Sequence, residues 1–207
     1  MIIYGQLKSK QLYLDDKELS EKMWGIAIKE ADGNLLLNTS PFDIDTNILS
    51  DPFDMYCLGL PKSGYDKRWA EVFIGNPDEK FYFEVPSWGK KNELEFYTIH
   101  TQVTTLDKRA FYIMVIEVMK QAGGKISEDD KETWITLEAF EAKHQDILSL
   151  SFDEANEISL KEAKTMTLIE ERAPDSMTEA EYKYRGWDWD YEWFSEIYPD
   201  LKHKNNQ

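Results

Sequence analysis

Tryptophans alternate with carboxylates near the end of the chain, and this combination of side chains could bind a metal ion or a protein partner. Residues 187–193 read Trp-Asp-Trp-Asp-Tyr-Glu-Trp and hold three of the seven tryptophans. Alternating carboxylates also begin a calcium-binding loop, which requires a glycine next and a glutamate at its twelfth position. Trp193 and Pro199 occupy those two positions. The pattern therefore excludes a calcium loop of this type, and we predict no metal ligands.

Helical spacing gives the same segment two faces. In a helix over residues 188–198, a buried stripe with i, i+4, i+7 and i+11 spacing would comprise Trp187, Tyr191, Phe194 and Tyr198. Trp189 and Trp193 would lie roughly 160° away around the helix. Exposed tryptophans beside carboxylates suit binding to a basic protein surface. The predicted partner-binding residues are Trp189, Asp190, Glu192, Trp193 and Glu196. Alternatively, the helix is a lid whose tryptophans all fill a groove.

Acidic residues are concentrated in the same part of the chain. The formal charge is −16, and residues 126–200 hold 21 Asp or Glu against 7 Lys or Arg. A one-sided acidic field speeds encounter with a basic partner and repels acidic ones. Because phosphate binding depends on clustered Lys and Arg, we expect no nucleic-acid partner. We predict a basic protein partner, the alternative being that the acidity only maintains solubility.

Nucleophilic catalysis has one candidate pair, Cys57 and His100. A catalytic nucleophile needs a base close by, but the sequence around Cys57 carries no nucleophile motif. The alternative is that Cys57 is a small apolar side chain and that His100 is a partly buried, hydrogen-bonded strand residue. His144 is expected at an exposed helical position. Glycine-rich phosphate loops are missing from the sequence, so we predict no catalytic residue and no cofactor.

The leading interpretation is a non-enzymatic binding protein, as a bacterial immunity, antitoxin or nuclease-inhibiting protein would be. A second interpretation is a hydrolase or small-ligand enzyme, because the 40 carboxylates and many aromatic side chains could form a sugar-binding cleft with residues 40–68. A third is a structural module of a phage or secretion assembly. The sequence leaves the oligomeric state open.

The location of the protein follows from its single cysteine and its apolar runs. Cys57 alone excludes an intramolecular disulfide, which favours a reducing cytoplasm. The first residues lack the basic start and apolar stretch of a signal peptide. The longest strongly apolar run, residues 110–116, ends at Glu117 and is too short to cross a bilayer. We expect a cytoplasmic protein that does not contact a membrane.

Apolar alternation and turn residues predict an α+β fold, with a mainly antiparallel sheet and one buried helix packed on it. The helix spans about residues 105–122, beginning after the cap Thr104-Thr105 and ending at Gly123-Gly124. Asp32-Gly33, between the apolar residues 23–30 and 35–38, predicts a hairpin that begins at Met23. The other predicted strands lie within residues 2–14, 55–58, 69–74, 80–85, 94–103, 125–127, 133–137 and 165–169.

The last third of the chain is predicted to be helical. Ser151 and Glu154 have capping-box spacing before a helix over residues 152–164, and another helix covers residues 176–184. The acidic residues 128–132 predict an exposed turn between two strands. We predict an α+β domain over residues 1–172, a helical extension over residues 173–201 docked on it, and a disordered tail over residues 202–207.

Overall fold

The structure is a computed structural model that describes residues 1–25, 47–50, 55–72, 78–85, 92–100 and 102–166. The strands are β1 (Ile2–Leu7), β2 (Met55–Gly59), β3 (Lys80–Glu84), β4 (Glu93–Thr98) and β5 (Gly124–Ser127). The α-helices are α1 (Asp16–Trp24), α2 (Lys62–Tyr65), α3 (Thr105–Ala122), α4 (Leu137–Lys143), α5 (Gln145–Leu148) and α6 (Phe152–Ala163). Two 3₁₀ helices cover Ile48–Ser50 and Lys67–Glu71.

The five strands form one antiparallel sheet in the order β2-β3-β4-β1-β5. Side chains alternate between a buried face and a half-buried face, as β3 shows, where Phe81 and Phe83 are buried and their neighbours are not. Helix α3 packs on the buried face, so close to β1 that a side chain at Gly5 would meet the Met119 sulfur. The predicted α+β fold with an antiparallel sheet and a buried helix is confirmed.

Helix α3 has the ends that its sequence predicts. The Thr104 hydroxyl accepts a hydrogen bond from the backbone N–H of Asp107, and this cap begins the helix. Gly123 ends it with φ +64, a conformation that glycine adopts without steric cost. Between these ends the buried face is apolar except for Asp107 in the first turn, and its fully buried residues include Ala110, Phe111, Met114, Val115 and Val118. The helix is therefore the centre of the core.

Helix α6 begins with the predicted capping box. The Ser151 hydroxyl accepts a bond from the Glu154 N–H, while the Glu154 carboxylate accepts one from the Ser151 N–H. One side of the helix packs against α3, and the Ser159 hydroxyl there accepts a bond from the Leu106 N–H. Local capping and tertiary packing thus select the same helix.

Two predicted strands are wrong. Of the strand predicted over residues 69–74, residues 69–71 belong to the 3₁₀ helix Lys67–Glu71, where the buried Trp69 indole N–H donates to Asn156 Oδ1 at 2.8 Å. Residues 73–74 lie outside the described residues. Residues 133–137 form only one bridge, between Ile135 and Ile126, because Thr136 already caps α4. In both places a tertiary or capping contact outweighs strand propensity.

Several element boundaries also differ. β1 ends at Leu7, so the predicted strand over residues 2–14 is shorter and forms no hairpin of its own. The predicted hairpin was expected to begin at Met23, but α1 continues to Trp24. β4 ends at Thr98, and Thr165 and Met166 follow α6 without forming a strand. The Asp32-Gly33 turn, the helix over residues 176–184 and the domain division at residue 173 lie outside the described residues.

Candidate functional site

The residues predicted to bind a partner, Trp189, Asp190, Glu192, Trp193 and Glu196, all lie outside the described residues, as does the buried stripe expected beside them. The acidic third of the chain comprises residues 126–200, and the structure describes its first half, residues 126–166. This half holds 11 Asp or Glu against 4 Lys or Arg. We call this stretch the acidic segment.

Most carboxylates of the acidic segment are exposed. They come from the turn before α4, from α4 and α5, and from the outer side of α6: Asp129, Asp130, Glu132, Glu138, Asp146, Asp153, Glu154 and Glu157. The apolar sides of these helices pack on α3, because each carries apolar residues that join the main core. The helices therefore turn their acidic sides to solvent.

Several of these carboxylates are held in the ionised form. Hydrogen bonds from Thr133 and Ser127 lower the pKa of Asp129 to about 2. Glu138 and Glu154 accept hydrogen bonds from backbone N–H groups at the start of α4 and α6, and these bonds lower the pKa of both carboxyl groups. The Arg68 guanidinium lowers the pKa of Glu157. The segment therefore stays negatively charged well below neutral pH.

The acidic turn is fixed to α4 through Glu128. One of its carboxylate oxygens lies 2.6 Å from Lys143 Nζ, and the other lies 2.7 Å from His144 Nε2. The expectation that His144 is exposed is wrong, since the imidazole is buried against the Tyr112 ring at a centroid distance of 4.0 Å. Packing on α3 buries the ring, while its edge still reaches Glu128.

A buried polar cluster lies at the sheet end where β2 stops and β3 begins. Lys62 Nζ lies 2.8 Å from Asp107 Oδ2, and the Thr104 hydroxyl donates to the same oxygen at 2.6 Å. His100 Nδ1 lies 2.9 Å from Glu79 Oε2. Buried charges are tolerated when they are paired and hydrogen-bonded, as these are. The Lys62–Asp107 pair of this cluster therefore joins α2 to α3.

Two groups in this cluster have a raised pKa, each for a different reason. Burial raises the pKa of Asp107, against the stabilising charge of Lys62. The hydrogen bond that His100 donates to the Glu79 carboxylate raises the pKa of His100, which favours the imidazolium form. The expectation that His100 is a buried, hydrogen-bonded residue is confirmed, although it lies just beyond β4. Sequence spacing gave no sign of the cluster, because Lys62 and Asp107 are 45 positions apart.

Cys57 and His100 have different partners in the structure. Cys57 lies on β2 directly opposite Tyr82 of β3. Burial raises the pKa of its thiol, with the Tyr82 hydrogen bond acting in the other direction. A catalytic cysteine needs a lowered pKa. The environment of Cys57 thus fits the interpretation of a small apolar side chain.

The half-buried face of the sheet, opposite α3, carries tyrosines and glutamates. Tyr82 and Tyr97 stack with ring centroids 5.1 Å apart. The Tyr97 hydroxyl donates to Glu84 Oε2 at 3.4 Å. On the neighbouring strand, Tyr4 lies opposite Glu95. We call these five residues the tyrosine-glutamate face.

No family model matches the chain, and neither a curated protein nor a solved structure matches it. Geometry therefore supplies the functional argument. Within the described ranges, no group of three or more His, Cys, Asp or Glu side chains is placed to hold a metal ion. None of the helices in those ranges combines the length and apolar character that crossing a bilayer requires.

Proposed function

We propose that this protein binds a basic protein partner through its acidic C-terminal third, as an immunity, antitoxin or inhibitor protein does. The observation that carries the proposal is the acidic segment, whose 11 acidic residues outnumber 4 basic ones. Most of them are exposed, on the turn before α4 and on helices anchored to the core. A rigid array of ionised carboxylates is complementary to a surface rich in Lys and Arg.

Binding would combine two contributions. The acidic segment attracts the basic partner over distances near the Debye length, about 8 Å at physiological salt, and so raises the association rate. Trp189 and Trp193, with Asp190, Glu192 and Glu196, supply the close contact, since aromatic side chains dominate the binding energy of many interfaces. If the partner is a nuclease, its phosphate-binding Lys and Arg are the groups that this surface covers.

The proposal is tested by affinity capture from extracts of the source cells. The baits are the wild-type protein, the triple variant Asp190→Lys, Glu192→Lys, Glu196→Lys, and a control variant with Glu21→Lys and Glu71→Lys, whose exposed side chains lie outside the acidic third. We expect the wild type and the control to retain the same basic protein, and the triple variant to lose it. The proposal fails if the triple variant retains that protein, or if the wild type retains no basic protein at low salt.

A function in solubility alone predicts a different result. It requires no specific partner, so any basic protein would be retained in proportion to net charge. The control variant changes four charge units and the triple variant changes six. If both variants lose retained basic protein in proportion to their change in charge, the result would favour the solubility function and contradict the proposal.

A further inference from the structure

Two glutamates of the tyrosine-glutamate face oppose each other across neighbouring strands. Glu84 of β3 is the register partner of Glu95 of β4, and their side chains lie on the face away from α3, since Phe83 and Phe96 fill the other face. Among the described residues, neither forms an ion pair with a Lys or Arg. Like charges directly opposite each other in a sheet are destabilising. Burial and then the charge of Glu84 raise the pKa of Glu95, while the nearby charge of Lys131 offsets only part of this by lowering it.

An unfavourable pair of this kind is expected where a ligand later supplies the missing charge. Sequences that break a local rule of stability do so mostly at functional sites. A cation between the two carboxylates would remove their repulsion and would satisfy both. The free protein thus carries a negative site on an otherwise well-formed sheet.

The same face already binds one cation of its own chain. Lys131 Nζ lies 4.5 Å from the centroid of the Tyr4 ring and 2.8 Å from Glu93 Oε2. The Lys131 backbone has φ +70, which is uncommon for a lysine, within the turn before α4. A tyrosine ring with a carboxylate beside it therefore binds an ammonium group here, and the Tyr97 ring beside Glu84 and Glu95 repeats that combination.

We propose that the tyrosine-glutamate face binds an arginine side chain of a basic protein partner, between Glu84 and Glu95 and against the tyrosine rings. The proposal rests on the proposed function and specifies the side chain that the partner presents. Arginine fits better than lysine because its planar guanidinium can bond two carboxylates at once while it stacks on an aromatic ring. The site would add a second contact region to the acidic third.

A tetra-arginine peptide and a tetra-lysine peptide of equal charge test this proposal. Each is titrated at low salt into the wild type, into the double variant Glu84→Gln, Glu95→Gln, and into a control with Glu21→Gln and Glu71→Gln. We expect the wild type to bind tetra-arginine more tightly than tetra-lysine. The double variant should bind tetra-arginine about tenfold more weakly than the wild type does, since two charge-assisted contacts are removed. It should also no longer prefer tetra-arginine over tetra-lysine. The control should keep the preference.

The double variant must remain folded for this comparison. Removing two opposed charges should raise its thermal midpoint slightly rather than lower it. Chemical shifts of the tyrosine rings report where each peptide binds. Perturbation of Tyr97 and Tyr4 by tetra-arginine, absent from the double variant, is the expected result.

The outcomes separate this inference from the proposed function. If tetra-arginine binds the wild type and the double variant equally, or if tetra-lysine binds as tightly as tetra-arginine, the arginine site is refuted while the proposed function stands. If neither peptide binds the wild type at low salt, the arginine site is refuted, and the capture experiment alone then decides the proposed function. Self-association that the double variant abolishes would assign the face to a second copy of the chain and would also refute the arginine site.

Discussion

A buried lysine and a buried aspartate connect α2 to α3. The side chains of Lys62 and Asp107 are 2% and 5% exposed, so removing one partner leaves a charge in the protein interior. We predict that Lys62→Met lowers the free energy of unfolding by about 3 kcal/mol or more, because methionine fills most of the same space but lacks the ammonium group that pairs with Asp107. Urea unfolding at neutral pH measures this change.

The double variant Lys62→Met, Asp107→Asn is the matched control. It removes both charges and keeps a polar group that can accept the Thr104 hydrogen bond. Most of the lost stability should return, because the main cost of the single variant is the unpaired carboxylate. Additive losses from the two substitutions would contradict this account of the cluster.

His100 makes stability depend on pH. The hydrogen bond with Glu79 raises its pKa in the folded protein above the usual 6.5, and the charges of Lys62 and Asp107 also act on it. The stabilisation is therefore complete below pH 6.5 and is lost as the pH rises through the folded-state pKa. Urea unfolding of the wild type and of His100→Gln between pH 6 and pH 9 measures this effect. We predict that the difference between their free energies of unfolding shrinks as the pH rises.

The difference between the two proteins is the informative quantity here. Burial lowers the pKa of the Met1 amine from 8.0, which makes stability rise with pH in an overlapping range and opposes the effect of His100. The amine is present in both proteins and cancels in the difference. A difference that stays constant over this range would contradict the assignment to His100.

The connection between α3 and β5 depends on a glycine that no other residue can replace. Gly124 has φ +123, and a Cβ atom there would overlap the carbonyl oxygen of Gln6 on the neighbouring strand. We predict that Gly124→Ala lowers the thermal midpoint far more than Gly25→Ala, for which only strain from φ +66 is expected because no atom lies within 4 Å. The Gly25 variant should lose about 1 kcal/mol. Equal losses would show that the close approach of the strands is unimportant.

The capping box of α6 is a second element whose strength can be measured. Ser151→Ala removes the hydroxyl that accepts from the Glu154 N–H, and we predict a loss of about 1 kcal/mol in the free energy of unfolding. Ser151→Gly should lose less, because a glycine cap leaves the backbone N–H groups open to water. If the alanine variant loses no stability, the box does not help to position α6.

Local signals account for the elements that the sequence predicted correctly. Caps and stop residues lie within four positions of the groups that they satisfy, so Thr104, Gly123 and Ser151 could be recognised from spacing alone. Trp69 could not, because its partner Asn156 is 87 positions away. The buried cluster could not be predicted from the sequence for the same reason, because Glu79 and His100 meet only after β3 and β4 pair. Exposure of the acidic turn was predictable from charge, whereas the burial of His144 depended on the position of Tyr112.

At the scale of the whole molecule, an acidic surface lies on an ordinary antiparallel core. The core is formed by α3 and the inner face of the sheet, and burial of its apolar side chains is its main source of stability. Neutralising the exposed carboxylates of α4, α5 and α6 that accept no hydrogen bond or ion pair should therefore leave the free energy of unfolding nearly unchanged. We propose that their excess serves to bind a basic partner.

The most direct test of the central claim is the affinity of the captured basic partner, measured by calorimetry with charge variants at matched salt. Glu132→Lys with Asp146→Lys changes the charge of the acidic segment by four units, and Glu21→Lys with Glu71→Lys makes the same change elsewhere. We predict that the first pair weakens binding by at least about tenfold more than the second, because screened charges act mainly on nearby groups. Equal weakening by both pairs would show that only net charge matters and would contradict a binding surface on the acidic segment.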